Sequence, residues 1–233
     1  MTLKEFSFEF DILYNSIMSD VAPSLNEYEK SIFLTQAQES LVTEMYNSYE
    51  ATEGATEFLK ELVLTVKPNP SPAPSLSPQG GKQYDLPKDV LFIVFEEVKL
   101  QSKKKSCNGD LITGTVYPTT HDNLHTMLKN PFRGPKGDKV IRLLQQDKIE
   151  LYSGLEITDY LIRYIKRPRP IILVDLDEYT EGLDGEYDGL HIGEDNNGNP
   201  YFRKQECELN PALHRAILQR AVMLAQYAWK SGT

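Results

Sequence analysis

His121 and His125 stand four residues apart with Asp122 beside the first, a spacing that on a helix sets both imidazoles on one face where a divalent metal could bridge them. Zinc needs at least a third protein ligand and none is signalled nearby, so the pair reads as a surface or capping feature. Asp175, Asp177, Glu178, Glu181, Asp184, Glu186, Asp188, Glu194 and Asp195 supply the oxygen ligands that Ca²⁺ or Mg²⁺ take from loops. Their spacing does not fit an EF-hand, because Tyr179 holds the third ligand position and no glycine follows at the sixth; a solvated acidic loop is the better account. Asp195 to Pro200 reads as turn chemistry, with Asn and Gly supplying positive φ.

Arg163, Lys166, Arg167 and Arg169 form a basic cluster with Tyr160 and Tyr164 interleaved. The favoured reading is a contact between subunits, in which the arginines meet the acidic 175–195 loop of a neighbour, with Asp184 and Asp188 as its carboxylates. A nucleic-acid module centred on residues 160–170 is a competing reading, as aromatic and basic side chains together suit single strands. Another is a metal-dependent hydrolase or nuclease using His121, His125 and the carboxylates of 175–188. Lys103, Lys104 and Lys105 read as a solvated hairpin tip. No nucleophile motif and no phosphate-binding loop of the G-x-x-x-x-G-K-[ST] type occurs, so neither a catalytic residue nor a cofactor is expected.

The elements that must carry these residues follow from periodicity. Phe6, Phe10, Leu13, Tyr14, Ile17 and Met18 recur at helical spacing, and a second helix over about 24–48 opens on a capping box of Ser24 and Glu27 and carries Leu25, Tyr28, Ile32, Phe33, Ala37, Leu41 and Met45. Phe58, Leu59, Leu62 and Val63 continue as a shorter helical segment that stops at Lys67-Pro68. Residues 68–81, with five prolines, read as an extended connector. Strands of one sheet are expected at 90–95, 140–144, 149–152, 160–165 and 171–174, a short helix at about 120–129 capped by Thr119 or Thr120, and a weak strand around Leu190–Ile192. Asn210-Pro211 opens a terminal helix bearing Leu213, Ile217, Ala221, Leu224 and Ala228. The expected class is α+β. N-terminal helices (1–66) and a returning C-terminal helix (209–233) form a bundle, with a Pro/Gly/Ser-rich connector (67–87) and a β-rich region (88–208) between them.

Composition narrows the function classes. With 233 residues, 40% of them hydrophobic, the chain can bury a core without staples, and its two cysteines, Cys107 and Cys207, make no disulfide framework. Twenty-five basic against 34 acidic residues give a net charge of -9, which argues against wrapping nucleic-acid phosphates or lying on an anionic membrane. No run approaches the length of a membrane span, and the N-terminus lacks the layout of a secretory signal, so assembly in a cytoplasm is expected.

Several segments in order are familiar: Phe10-Asp11-Ile12-Leu13-Tyr14-Asn15, the stretch from Ala22 to Glu39, Pro118-Thr119-Thr120-His121-Asp122, Asn130-Pro131-Phe132-Arg133-Gly134-Pro135, the stretch from Tyr164 to Leu173, and that from Cys207 to Leu218. Together they resemble the virion structural proteins of crAss-like tailed bacteriophages, the ring proteins stacked beneath the portal in the neck and tail. The terminal helix also resembles the closing helix of head-to-tail adaptor proteins in short-tailed phages. The resemblance implies a non-enzymatic subunit that joins head to tail, in many copies in register with a twelvefold portal, around a channel through which DNA passes without specific binding. Arg163, Lys166, Arg167, Arg169, Asp184, Asp188, Phe132, Arg133, His214 and Arg215 are the expected interface residues. The portal and adjacent ring or tail proteins are the expected partners, in the virion and away from any membrane.

Overall fold

Helix α1, Leu3–Ile17, buries Phe6, Phe10 and Tyr14 along one stripe. Thr2 and Glu5 close its start reciprocally: the Thr2 N–H donates to Glu5 Oε2 at 2.8 Å and the Glu5 N–H to Thr2 Oγ1 at 3.3 Å. Helix α2, Glu27–Asn47, opens on a box of the same kind two residues later than the sequence reading put it. The Glu29 N–H donates to Asn26 Oδ1 at 2.8 Å and the Asn26 N–H to Glu29 Oε2 at 2.9 Å. Glu27, expected as the capping carboxylate, instead accepts from Lys30 Nζ at 2.9 Å and from Ser7 Oγ at 2.7 Å. Lys30 also reaches Asp11 at 2.8 Å and is only 3% exposed. Burial alone lowers its pKa; the hydrogen bonds and charges of Asp11 and Glu27 outweigh that and leave it raised, so the buried ammonium stays charged.

The structure, a computed structural model, describes residues 1–17, 24–47, 57–71, 81–101, 111–176, 190–195 and 198–232. Met18, most of the proline-rich connector, Lys103 to Lys105, Cys107 and the acidic residues from Asp177 to Asp188, Asp184 included, lie outside the described residues. The class is α+β. The chain forms two units, Met1–Leu62 with Arg167–Thr233, and Val63–Lys166.

In the first unit α1 and α2 pack with the terminal helix, His214–Gly232. Asn210 accepts from the Ala212 N–H at 3.0 Å with Pro211 behind it, and a 3₁₀ turn, Pro211–Leu213, leads into that helix. Ile217, Leu218, Ala221, Val222 and Ala225 form its buried face. A second stripe on α2 is polar and buried at Ser31 and Gln38 and half-buried at Thr35, and it takes the place of a sheet neighbour for the segment after Arg167. Ser31 Oγ accepts from the Leu173 N–H at 3.0 Å, Thr35 Oγ1 from the Ile171 N–H at 3.1 Å, and Gln38 Nε2 donates to the Arg169 carbonyl at 2.7 Å. Residues 171–174, expected as a strand of the sheet, therefore make one isolated bridge, Ile172 to Gln205, and draw their other bonds from helix side chains. The stretch at 190–192 likewise forms no strand: the Ile192 N–H donates to the Tyr201 carbonyl at 3.2 Å ahead of a turn at Asp195, where Gly198 takes φ 82°.

The second unit is a seven-stranded sheet. Its strands are β1 (Val63–Val66), β2 (Lys82–Asp85), β3 (Val90–Gln101), β4 (Leu111–Thr119), β5 (Lys139–Leu144), β6 (Lys148–Ser153) and β7 (Glu156–Lys166), in the order β1-β7-β3-β4-β5-β6-β2. Residues 63–66, expected as helix, become a strand because the β-branched run Val63-Leu64-Thr65-Val66 finds β7 to pair with, Val63 opposite Ile165 and Val66 opposite Ile162; the helical path ends in a 3₁₀ turn at Lys60–Leu62. Strand β2 arises within what reads as connector, through antiparallel pairing with β6.

Strand β4 splits its allegiance. Leu111–Gly114 pair antiparallel with β3 and Thr115–Thr119 pair parallel with β5. At the switch, a Cβ on Gly114 would lie 2.9 Å from Leu100 Cδ1 and 3.1 Å from the Asp138 carbonyl oxygen, so a side chain has no room. Parallel pairing needs a crossover, and helix α3, His121–Lys129, provides it; the terminal helix, His214–Gly232, is α4. Leu124, Met127 and Leu128 of α3 pack on Ile141, Leu143 and Tyr152. The opposite face carries the larger core, including Val98, Leu100, Ile149, Leu151, Tyr160 and Ile162.

Candidate interaction surfaces

The end of α3 builds a rigid display. Asn130 caps the helix, its N–H donating to the carbonyls of Thr126 and Met127, and its Oδ1 accepts from the N–H groups of Phe132 at 2.9 Å and Arg133 at 3.1 Å. The Gly134 N–H returns to the Asn130 carbonyl at 2.8 Å, a closeness that excludes a Cβ, which would sit 2.7 Å from that oxygen. Lys139 Nζ ties down the Phe132 carbonyl at 3.2 Å. The outcome is a pinned turn that holds Phe132 84% exposed, with Arg133 exposed beside it. Held in water by these local bonds, the Phe132 ring adds nothing to the buried core.

The basic residues fall on two units. Arg163 and Lys166 belong to β7, whereas Arg167 and Arg169 begin the returning segment of the first unit. Arg163 is exposed, donates from Nε to Thr65 Oγ1 at 3.2 Å and lies 5.8 Å from the centre of the Phe95 ring. Arg167 is exposed and 4.0 Å from Glu39, a screened pair that leaves the guanidinium available. Arg169 is already committed: its Nε donates to Glu208 at 2.5 Å and its backbone N–H to the same carboxylate at 3.1 Å.

His214, grouped from the sequence with interface residues, is 5% exposed and faces inward. Its Nε2 bonds the Leu209 carbonyl at 3.0 Å, its Nδ1 lies 2.7 Å from the Met1 amino group, and its ring centre is 5.3 Å from that of Phe6. Burial lowers its pKa below the ordinary imidazole value, with the Met1 ammonium acting in the same direction. It is a tie between the starts of α1 and α4, and the next residue, Arg215, is exposed. Arg215 lines a groove of about 240 Å³ with Glu9, Ile12, Leu13, Leu218 and Gln219. Phe8 (68% exposed) and Ile12 (51%) on α1, and Met223 (58%) and Tyr227 (76%) on α4, form exposed apolar pairs at four-residue spacing. The sequence reading missed them, although a second apolar stripe beside Phe6, Phe10 and Tyr14 was their signal.

A family model described as phage tail ring protein 3/4 matches residues 1–233. The chain belongs to the phage tail ring protein 3/4 family. Two relatives come from Bacteroides phage crAss001. Ring protein 3 is 40% identical over 97% of this chain and 95% of its own length, and Ring protein 4/5 is 34% identical over 99% of this chain and 94% of its own. The likeness to ring proteins of crAss-like phages read from short motifs thus extends along the whole chain, and the protein is a structural ring component of a phage virion.

In this ring family member His121 and His125 are both exposed on α3, and no group of three or more possible metal ligands occurs among the described residues. Thr120 is the N-cap of α3, without a side-chain capping bond. No described helix is long and apolar enough to cross a membrane.

Proposed function

We propose that this chain is the repeating subunit of a ring in the neck and tail, joining the portal to the tail around the DNA channel, with twelve copies in register with the portal. The observation that carries this reading is the full-length family match, read together with the pinned, exposed Phe132 turn. A closed ring needs head-to-tail contacts, so each copy must carry two different complementary patches. Phe132 and Arg133 supply an apolar knob with a basic edge. Arg163, Lys166 and Arg167 supply basic side chains for an acidic segment of the neighbour around Asp184 and Asp188, while Arg169 and His214 hold the chain that presents them. Arg215 and the exposed apolar pairs of α1 and α4 form a further surface, suited to the portal or the adjacent ring.

The subunit does its work by contact and has no catalytic step. A net charge of -9 suits a conduit wall, since phosphates are repelled and no counterions are released by sticking. Assembly takes place in the host cytoplasm before the virion is complete. The test is the mass of the purified chain across a concentration series, alone and with the cognate portal, by native mass spectrometry. A ring-sized oligomer, alone or on the portal, is expected; a monomer indifferent to both concentration and portal overturns the reading.

A further inference from the structure

The seven-stranded sheet treats its edges unequally. The outer edge of β2 is covered by the chain's own Asn69–Ser71: the Ser71 N–H donates to the Gln83 carbonyl at 2.9 Å and the Asp85 N–H to the Asn69 carbonyl at 3.0 Å. At the other end β1 pairs only with β7, and no strand lies on its outer side among the described residues. A second opening lies inside the sheet. Ile93 and Phe95–Glu97 of β3 pair with β7 on one side, with the register shifting at Val94 between them, and among the described residues β4 reaches β3 only from Val98 onward. Beyond that point β4 follows β5, so β3 and β4 diverge and enclose a cleft of about 470 Å³.

The cleft is lined by residues 93–97 of β3, residues 113–116 and 118 of β4, and Arg142 of β5. Its buried charge is settled internally. Arg142 donates to Glu96 Oε2 at 2.7 Å and the Tyr160 hydroxyl to Glu96 Oε1 at 2.6 Å. Arg142 Nε, however, is buried without a hydrogen-bond acceptor among the described residues. Two rows of strand backbone and an orphan N–H call for an occupant rich in carbonyl oxygens.

We propose that a second copy of this chain fills the opening, laying its β1 edge, Val63–Val66, against Ile93–Glu97 of β3. The inference rests on the ring reading, and it specifies one of the contacts that closes the ring. One copy carries both halves, an open strand and an open slot, on different surfaces, as a head-to-tail interface demands. Rotation about a ring axis that runs along the strands preserves strand direction. Strand β1 runs antiparallel to β7, and β7 antiparallel to β3, so β1 of the neighbour meets β3 in parallel. The three strands β1, β7 and β3 would then repeat from copy to copy as one continuous sheet, with β4, β5, β6 and β2 turned off it at each slot.

Amide hydrogen exchange of the full-length chain, monomeric and assembled, tests this. Assembly is expected to slow exchange at least tenfold in residues 63–66 and 93–97 together, and to leave the already paired β6 unchanged. Leu64→Lys, at an edge position 37% exposed, is expected to leave the monomer's melting temperature within a few degrees and to raise the concentration needed for assembly at least tenfold. Rings in which both segments exchange as they do in the monomer overturn this pairing and leave the ring reading standing. A chain that stays monomeric with and without the portal overturns both.

Discussion

Replacing Phe132 by Ser separates assembly from folding more cleanly than any other single change. The side chain is 84% exposed, and an interface covers ~200 Å² of a Phe, so docking removes ~170 Å² of apolar surface, worth ~4 kcal/mol at about 25 cal/mol per Å². Side-chain ordering and imperfect packing reduce this to roughly 2–3 kcal/mol per contact, or a roughly 30- to 150-fold weaker association. The fold should not notice, since substitutions at exposed positions stay within about 0.5 kcal/mol and the turn is held by Asn130, not by the ring. Thermal unfolding of the monomer and sedimentation across a concentration series read the two effects independently. Asn130→Ala is the companion: it keeps the Phe, removes two bonds that pin it, and is expected to weaken assembly less than Phe132→Ser. A Phe132→Ser protein that assembles at the wild-type concentration refutes the claim that the pinned aromatic is a contact.

Other changes probe the scaffold. Thr35→Val leaves the Ile171 N–H without its acceptor and Gln38→Leu leaves the Arg169 carbonyl without its donor, so each should cost about 1–3 kcal/mol in urea denaturation. Gly114→Val forces a side chain against Leu100 and the Asp138 carbonyl, and a loss of about 1–3 kcal/mol is expected by the same measurement. His214 has a folded-state pKa below its ordinary value of 6.5, so as pH falls through that value the unfolded chain takes up the proton first. Stability should therefore fall as pH drops from 7.5 toward 5.5, and His214→Gln should flatten that slope in parallel melting curves. Salt distinguishes the two kinds of contact: if arginine–carboxylate pairs dominate, raising NaCl from 0.05 to 0.5 M weakens assembly, whereas an interface led by Phe132 and strand pairing strengthens as repulsion between copies of charge -9 is screened.

The helices were legible because their signals are local. Phe6, Phe10 and Tyr14 recur at one spacing, and Asn210-Pro211 announces a helix start whatever lies elsewhere. The polar stripe Ser31, Thr35 and Gln38 was not, since at helical spacing it looks like a solvated face until the backbone at 169–173 is seen to need those partners. Strand β4 escaped because most of it is exposed, with Gly114 and Pro118 interrupting it, so no alternation marks it. Strands β1 and β2 have four residues each and take their form from β7 and β6, partners 96 or more and 63 or more positions away, a kind of information no window carries. For the candidate surface, the motif around Asn130-Pro131-Phe132 marked a turn that the structure pins by local bonds, but that Arg169 and His214 are bound internally depends on Glu208, Leu209 and Met1.

The distribution of polar and apolar features gives the proposed ring a division of labour. Charge keeps free copies apart: at -9, two monomers repel over a Debye length, which holds exposed Phe132, Phe8 and Tyr227 out of unproductive contact. Such repulsion is non-directional and yields only to a contact that gains at several points together. Phe132 alone, worth roughly 2–3 kcal/mol, does not hold a dimer against the entropy of association. A pinned knob, an arginine pairing and a strand entering the β3–β4 cleft, made simultaneously, can do so because after the first contact the others are intramolecular. Geometry then decides specificity. A stray acidic protein can meet Arg163 or Arg167, and a stray apolar surface can meet Phe132, but only a surface that presents both at the right separation gains from both, and in this chain the covered edge of β2 removes the most accessible wrong partner for an open strand.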